Sequence, residues 1–156
     1  IENQIGKKIL ADSKLVYIRR DPFEVMRSSY YYYPTWSKRC KNIIDNSFKK
    51  GENSFKDFIL KSGLLEEWVD NTSFWLAQEG IFHITFDYLI NDYTNSLSML
   101  SRYLAVPLPS TILYPDDPLF NKAAGVVSPG LTKNEFPREE FIDFINLQIK
   151  NYKNGR

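Results

Sequence analysis

Hydrophobic and polar positions along this chain change their period several times, and each change marks an element. "KLVYI", residues 14 to 18, is a short apolar, β-branched run suited to a strand buried on both faces. A helix is expected directly after it. Asp21 is a good N-cap, Pro22 fits the first helical position, and Glu24 three residues after the cap completes a capping box. "NSFKDFILKSG" and "LLEEWVDNTSFWLAQEG" read as two further helices, closed by Gly63 and Gly80. "IFHITF", residues 81 to 86, predicts a second strand. "NDYTNSLSMLSRYLAV" spaces Leu97, Leu100 and Leu104 along one helical face before "PLPS" stops it. Residues 107 to 135 hold five prolines and no period, as a loop would. Pro137 then opens a last helix with Phe141, Ile145, Ile149 and Tyr152 in one stripe.

Strand, helices, strand and helix in that order predict an α/β fold with a parallel sheet. A parallel pair is normally buried under helices on both faces, and two strands are too few for that. The expectation is the later part of a domain whose first strands lie upstream. The 156 residues, 43% hydrophobic and 15% aromatic, suffice for the core of one domain. No apolar run approaches the ~18 residues of a membrane span, and "IENQIGKKIL" lacks a signal-peptide core, so no membrane segment and a cytoplasmic location are expected. The single cysteine, Cys40, allows no internal disulfide, and with one histidine, His83, a metal centre is not expected. His83 lies mid-strand and reads as a core histidine rather than a general base.

A net charge of +1 conceals an asymmetry. Residues 1 to 50 hold 11 Lys/Arg against 5 Asp/Glu, and residues 51 to 156 hold 9 against 14. Anion binding should map to the first third, while the excess is too small for a general nucleic-acid binder. Arg19 and Arg20 stand at the carboxyl end of the first strand, where open α/β sheets bind ligands. The seven residues from Asp21 to Ser28 return to nearly the same helical face ~10 Å along the axis, so an arginine at the helix entrance and Ser28 are spaced to share one phosphate. Asp21 would repel a phosphate sitting on the helix N-terminus itself. The plainer alternative is that both arginines are solvated and paired with Asp21 or Glu24. By the same plain reading Trp68, Trp75 and Phe86 are core residues, and the tyrosine run from Tyr30 to Tyr33 is packing.

"VYIRRDPFEVMRSSYY" resembles the 3′-phosphate-binding segment of sulfotransferases that use 3′-phosphoadenosine 5′-phosphosulfate (PAPS), roughly R-N-P-x-D-V-x-x-S. Arg20, Pro22, Glu24, Val25 and Ser28 fall in register, which implies that Arg20 and Ser28 hold the 3′-phosphate. Trp68 and Trp75 keep the spacing of the family's W-x-x-H-x-x-x-W, with Asn71 at the histidine's place. Phe86-Asp87-Tyr88-Leu89 stands at its Y-E-D-L, which implies that Phe86 contacts adenine. "KAAGVVSPGLTKNEFP" is similar to the nucleotide-wrapping R-K-G-x-x-G-x-W-K-N-x-F-T, keeping Gly125 and Lys133-Asn134-Glu135-Phe136. There Ala123-Ala124 replaces the R-K pair, Lys122 is the candidate compensating cation, and Thr132 stands where the tryptophan would be. Pro137-Arg138 replaces the T-V step of the family's common dimer motif. The family's phosphosulfate loop, T-Y-P-K-S-G-T-T-W, and its catalytic histidine have no counterpart in this chain.

The resemblance covers residues 14 to about 136 and implies a three-layer, parallel-sheet, P-loop NTPase-like α/β fold, here a single partial domain. Its parts would be the 3′-phosphate strand and helix at 14–34, the tryptophan helix and strand at 64–90, the nucleotide-covering loop at 107–136 and the C-terminal helix at 137–152. It implies PAPS, or its product 3′-phosphoadenosine 5′-phosphate (PAP), as cosubstrate. It also implies sulfuryl transfer to a hydroxyl or amine of a small-molecule or carbohydrate acceptor, by catalytic groups outside this chain. A shortened, non-catalytic relative that binds a nucleotide or a protein partner is the alternative, and a nucleotide-kinase-like remnant is a third reading. With the loop and histidine missing, the chain alone is expected to give no turnover with labelled PAPS and a broad acceptor panel; transfer above the uncatalysed background would put the catalytic groups inside these residues.

Overall fold

The computed structural model describes residues 13–32, 52–108 and 136–155, with the single positions 38, 42, 110 and 111. Its described elements are β1 (Val16–Arg19), α1 (Pro22–Tyr32), α2 (Glu52–Lys61), α3 (Leu64–Leu76), β2 (Phe82–Thr85), α4 (Phe86–Asn91), α5 (Tyr93–Leu104) and α6 (Arg138–Asn154). The protein is thus mixed α/β, mostly helical, with one small parallel sheet among the described residues. The chain divides into two compact units, Ile1–Arg20 with Phe74–Val127, and Asp21–Ser73 with Ser128–Arg156. No helix of the described residues is long and apolar enough to cross a membrane.

The first unit contains the sheet. β1 and β2 pair in parallel, with Val16 opposite Phe82 and Arg19 opposite Thr85. The start of the ladder is pinned by α5: the Tyr103 hydroxyl lies 2.9 Å from the Leu15 carbonyl and 2.7 Å from the Gly80 carbonyl, and Lys14 donates to the Tyr103 carbonyl at 2.8 Å. Trp75, near the end of α3, stacks on Tyr17 with ring centroids 6.0 Å apart. Two strands nevertheless shelter little. Ile84 is the one buried hydrophobic residue of this unit among the described residues, and Ile18 is 48% exposed. The expectation of a strand buried on both faces is therefore corrected, because a two-stranded ladder lacks the neighbours that would cover it. His83 is corrected with it. Alternation along β2 turns Ile84 inward and leaves His83 exposed, its ring edge-on to Tyr17 at 6.1 Å.

Several boundaries also move. β1 begins at Val16 rather than Lys14. α3 stops at Leu76, so Gly80, with φ +76°, turns the chain into β2 instead of closing the helix, whereas Gly63, with φ +78°, does follow α2. Phe86 is the first helical residue of α4 rather than a strand end: Thr85 is extended at φ −86°, ψ 147°, and its hydroxyl accepts from the Tyr88 backbone N–H at 3.2 Å. The single helix expected after it is two, because Asp92 leaves helical geometry between α4 and α5. α5 ends at Leu104 with Ala105 in the left-handed conformation, just before Pro107.

The second unit holds the larger core. Phe55 stacks on Phe136 at 4.4 Å and meets Phe141 at 5.0 Å, while Tyr30 stands edge-on to Phe55, Phe58 and Phe136 at 5.2 to 5.5 Å. Edge-to-face geometry suits the ring quadrupoles, and the Tyr30 hydroxyl keeps a partner in Ser54 Oγ at 2.6 Å. Tyr31 packs against the same core and Tyr32 is exposed; Tyr33 and Cys40 lie outside the described residues. The N-cap part of the expected capping box at α1 is present, since Asp21 Oδ1 accepts from the N–H of Phe23 at 3.0 Å and of Glu24 at 3.4 Å, while Glu24 Oε2 accepts from Arg27. On α6, Phe141 and Ile145 are fully buried and Ile149 packs beside them, as their stripe requires, whereas Leu147 is 53% exposed. Ile145→Ala is expected to cost about 2–5 kcal/mol by cavity formation, and Leu147→Ala to stay within about 0.5 kcal/mol. Chemical denaturation of the two variants, followed through α6, checks the contrast.

Candidate functional site

The parallel register decides where the candidate residues emerge. Arg19 and Thr85 form the last paired position, so Arg20 and Phe86 leave the carboxyl ends of the two strands side by side. The Arg20 guanidinium lies over the Phe86 ring, with Cζ 4.7 Å from its centroid. Phe86 is half-buried and Arg20 is exposed, and the Thr85 cap fixes where the ring leaves the backbone. A cation at this height is held by the negative face of the ring, at roughly 0.5–1 kcal/mol for an exposed pair. A guanidinium's five N–H donors radiate in its plane, the direction in which carboxylate and phosphate oxygens are bound. The pair therefore combines a positive fork with an aromatic surface. Two residues to which the sulfotransferase resemblance gives nucleotide roles, from separate segments, are brought together here, and Arg19, also exposed, is not part of that contact.

The other candidates are placed as follows. Ser28 is exposed on α1, in the second unit, and the chain is helical from Pro22 through it, as the spacing argument needs. In that unit the carboxylates near the helix entrance are engaged. Arg138 forks onto Asp21 at 3.1 and 2.8 Å, and Arg27 donates to Glu24 at 2.6 Å. Phe23, buried between them, has the Arg27 and Arg138 guanidinium groups at 5.6 and 5.7 Å from its ring. An N-terminus already capped by a carboxylate is closed to a second anion, which agrees with the repulsion expected at Asp21. Trp68 and Trp75 share α3, yet Trp68 packs on the second unit's core and Trp75 on Tyr17 in the first. Lys122 and Gly125, with Ala123, Ala124 and Lys133, lie outside the described residues.

The fork from Arg138 to Asp21 was not legible beforehand. It joins positions 117 apart, and no short-range pattern announces such a pair. Comparison of the chain with protein-family models, with curated proteins and with solved structures finds no match. The Arg20–Phe86 contact is itself testable. In a double-mutant cycle of Arg20→Ala and Phe86→Leu, the coupling energy in unfolding is expected at about 0.5–1 kcal/mol. Additive losses, within error, would show that the two side chains do not interact in solution.

Proposed function

We propose that this chain supplies the 3′-phosphate and adenine side of a PAPS-dependent sulfotransferase, in a three-layer, P-loop-like α/β domain. The observation that carries the reading is the Arg20 guanidinium over the Phe86 ring at the carboxyl ends of two parallel strands, where α/β folds bind ligands. In this reading the in-plane donors of Arg20 take the 3′-phosphate and the Phe86 ring receives the purine on the face turned away from the guanidinium. The resemblance also assigns Ser28 to the phosphate and Lys122 and Gly125 to the nucleotide-covering segment. Phe86 lacks the hydroxyl of the family's tyrosine, so base binding here rests on stacking alone.

The reaction proposed for the whole enzyme is in-line attack by an acceptor oxygen or nitrogen on the sulfur of PAPS. A bond to sulfur forms as the bond from sulfur to the phosphate oxygen breaks, PAP departs, and a general base takes the acceptor's proton. That base, and the donors that stabilise the leaving oxygen, are groups this chain does not supply. The part of this chain is to hold the nucleotide by the end that does not react. Such binding is useful because contacts remote from the reacting atoms orient the bond that breaks.

Calorimetric titration with PAP and with adenosine 5′-monophosphate tests the proposal. PAP is expected to bind much more tightly, because only it carries the 3′-phosphate. Arg20→Ala should remove the difference, a loss on the order of 10- to 100-fold for one charge-assisted contact. Ser28→Ala should lose less, and Arg19→Ala should leave the preference intact. Equal affinity for the two nucleotides, or equal losses at Arg19 and Arg20, would overturn the reading.

A further inference from the structure

A second site is built in the second unit, from features that the nucleotide reading does not use. A cleft of about 340 Å³ opens where the last turn of α2, the first turn of α3 and the last turns of α6 meet. That volume lies within the range of small-ligand pockets. Its apolar wall is Ile59, Leu60 and Leu65, and its polar wall comes from Gln148, Asn151 and Tyr152. Tyr152 is held in place because its hydroxyl donates to Asp70 Oδ2 at 3.0 Å. Glu66 also lines the cleft, and its Oε2 is a buried oxygen with no hydrogen-bond partner. Buried carboxylate oxygens are ordinarily paired, so Glu66 is a cleft-lining carboxylate with one unsatisfied acceptor oxygen.

The surrounding field says what kind of donor. Two helices, α2 and α6, present their carboxyl ends to this cleft, and Gly155, the C-cap of α6, forms part of the lining. The partial negative charge of these ends is opposed by the amino end of α3, whose first turn also lines the cleft, so the Glu66 carboxylate, with no Lys, Arg or His in the lining, sets the sign of the site. The nearest cation of α2, Lys61, is exposed and pairs with Asp57 at 3.0 Å, outside the lining. An anion would be repelled from this cleft, and a neutral donor would leave the charge uncompensated. A metal ion is disfavoured because the lining offers one carboxylate, and no cluster of three or more metal-ligating side chains occurs among the described residues.

We propose that the cleft binds a small organic cation, a protonated primary amine on a short apolar body. Glu66 is its counter-ion, the Gln148 and Asn151 amide oxygens are further acceptors for its N–H groups, and the Ile59, Leu60 and Leu65 side chains contact its hydrocarbon part. The amine's three donors match a site rich in acceptors, and its chain matches the one apolar wall.

Methyl-resolved NMR of the full chain, titrated with n-butylammonium, tests this. The methyl signals of Ile59, Leu60 and Leu65 should shift saturably, with a dissociation constant on the order of millimolar for so few atoms. Butan-1-ol has nearly the same shape without the charge and should bind at least about 10-fold more weakly. Glu66→Gln keeps the shape, removes the charge, and should weaken butylammonium binding on the order of 10- to 100-fold while leaving the unliganded spectrum of α6 unchanged. Absence of saturable shifts, equal binding of the alcohol, or undiminished binding by a folded Glu66→Gln variant would each overturn the proposal. If Glu66→Gln fails to fold, the comparison of amine with alcohol in the unaltered chain decides it alone.

Discussion

Parallel pairing of β1 with β2 is the constraint on which the arrangement depends. Parallel strands cannot be closed by a tight turn, so the chain must make a long crossover between them, and α1, α2 and α3 all lie within it. The same pairing fixes the candidate site, because carboxyl ends of parallel strands point the same way. With Arg19 opposite Thr85, the next residue of each strand is delivered to the same edge, and these residues are Arg20 and Phe86. In an antiparallel pair these residues would leave at opposite ends.

So short a ladder needs outside support, which in the first unit comes chiefly from aromatic side chains. Trp75 covers Tyr17, and Tyr103 bridges the entrances of both strands through one hydroxyl. Phe82 adds a ring contact to Tyr103 at 5.3 Å. The second unit is stabilised differently. Its rings pack mainly against one another around Phe55 and Phe136, and fully burying each such side chain contributes about 1.5–3 kcal/mol. Inside it the Tyr30 hydroxyl and Ser54 Oγ satisfy each other.

Charge is distributed by the same logic. Asp21 caps α1 and receives the Arg138 fork, so its carboxylate both satisfies backbone donors and is neutralised from α6. A surface ion pair of this kind adds at most about 1 kcal/mol, comparable with the cap itself. Its larger effect is chemical: with the helix entrance occupied by a carboxylate, the backbone N–H groups there are closed to an anion. Elsewhere in the second unit, the lining of the cleft at Glu66 holds one carboxylate and no cationic side chain.

By itself the sequence determined what depends on neighbours a few residues apart. The Asp21 cap and its helix, the Phe141–Ile145–Ile149 stripe and the end of α5 before Pro107 follow from backbone propensity and helical periodicity, which act over one or two turns. The parallel sense of the sheet was also legible, since helices separate the two strands. Tertiary structure decided the rest. Burial of β1 and His83 depended on how many strands flank them, which no local pattern records. The seven-residue spacing of Trp68 and Trp75 was real, yet the two rings serve different units because packing, not spacing, assigns a face its partner. Meetings between Arg20 and Phe86 and between Arg138 and Asp21 join residues far apart in the chain. Only a folded backbone brings such residues to contact distance, and Coulomb and dispersion forces between side chains act there and nowhere earlier.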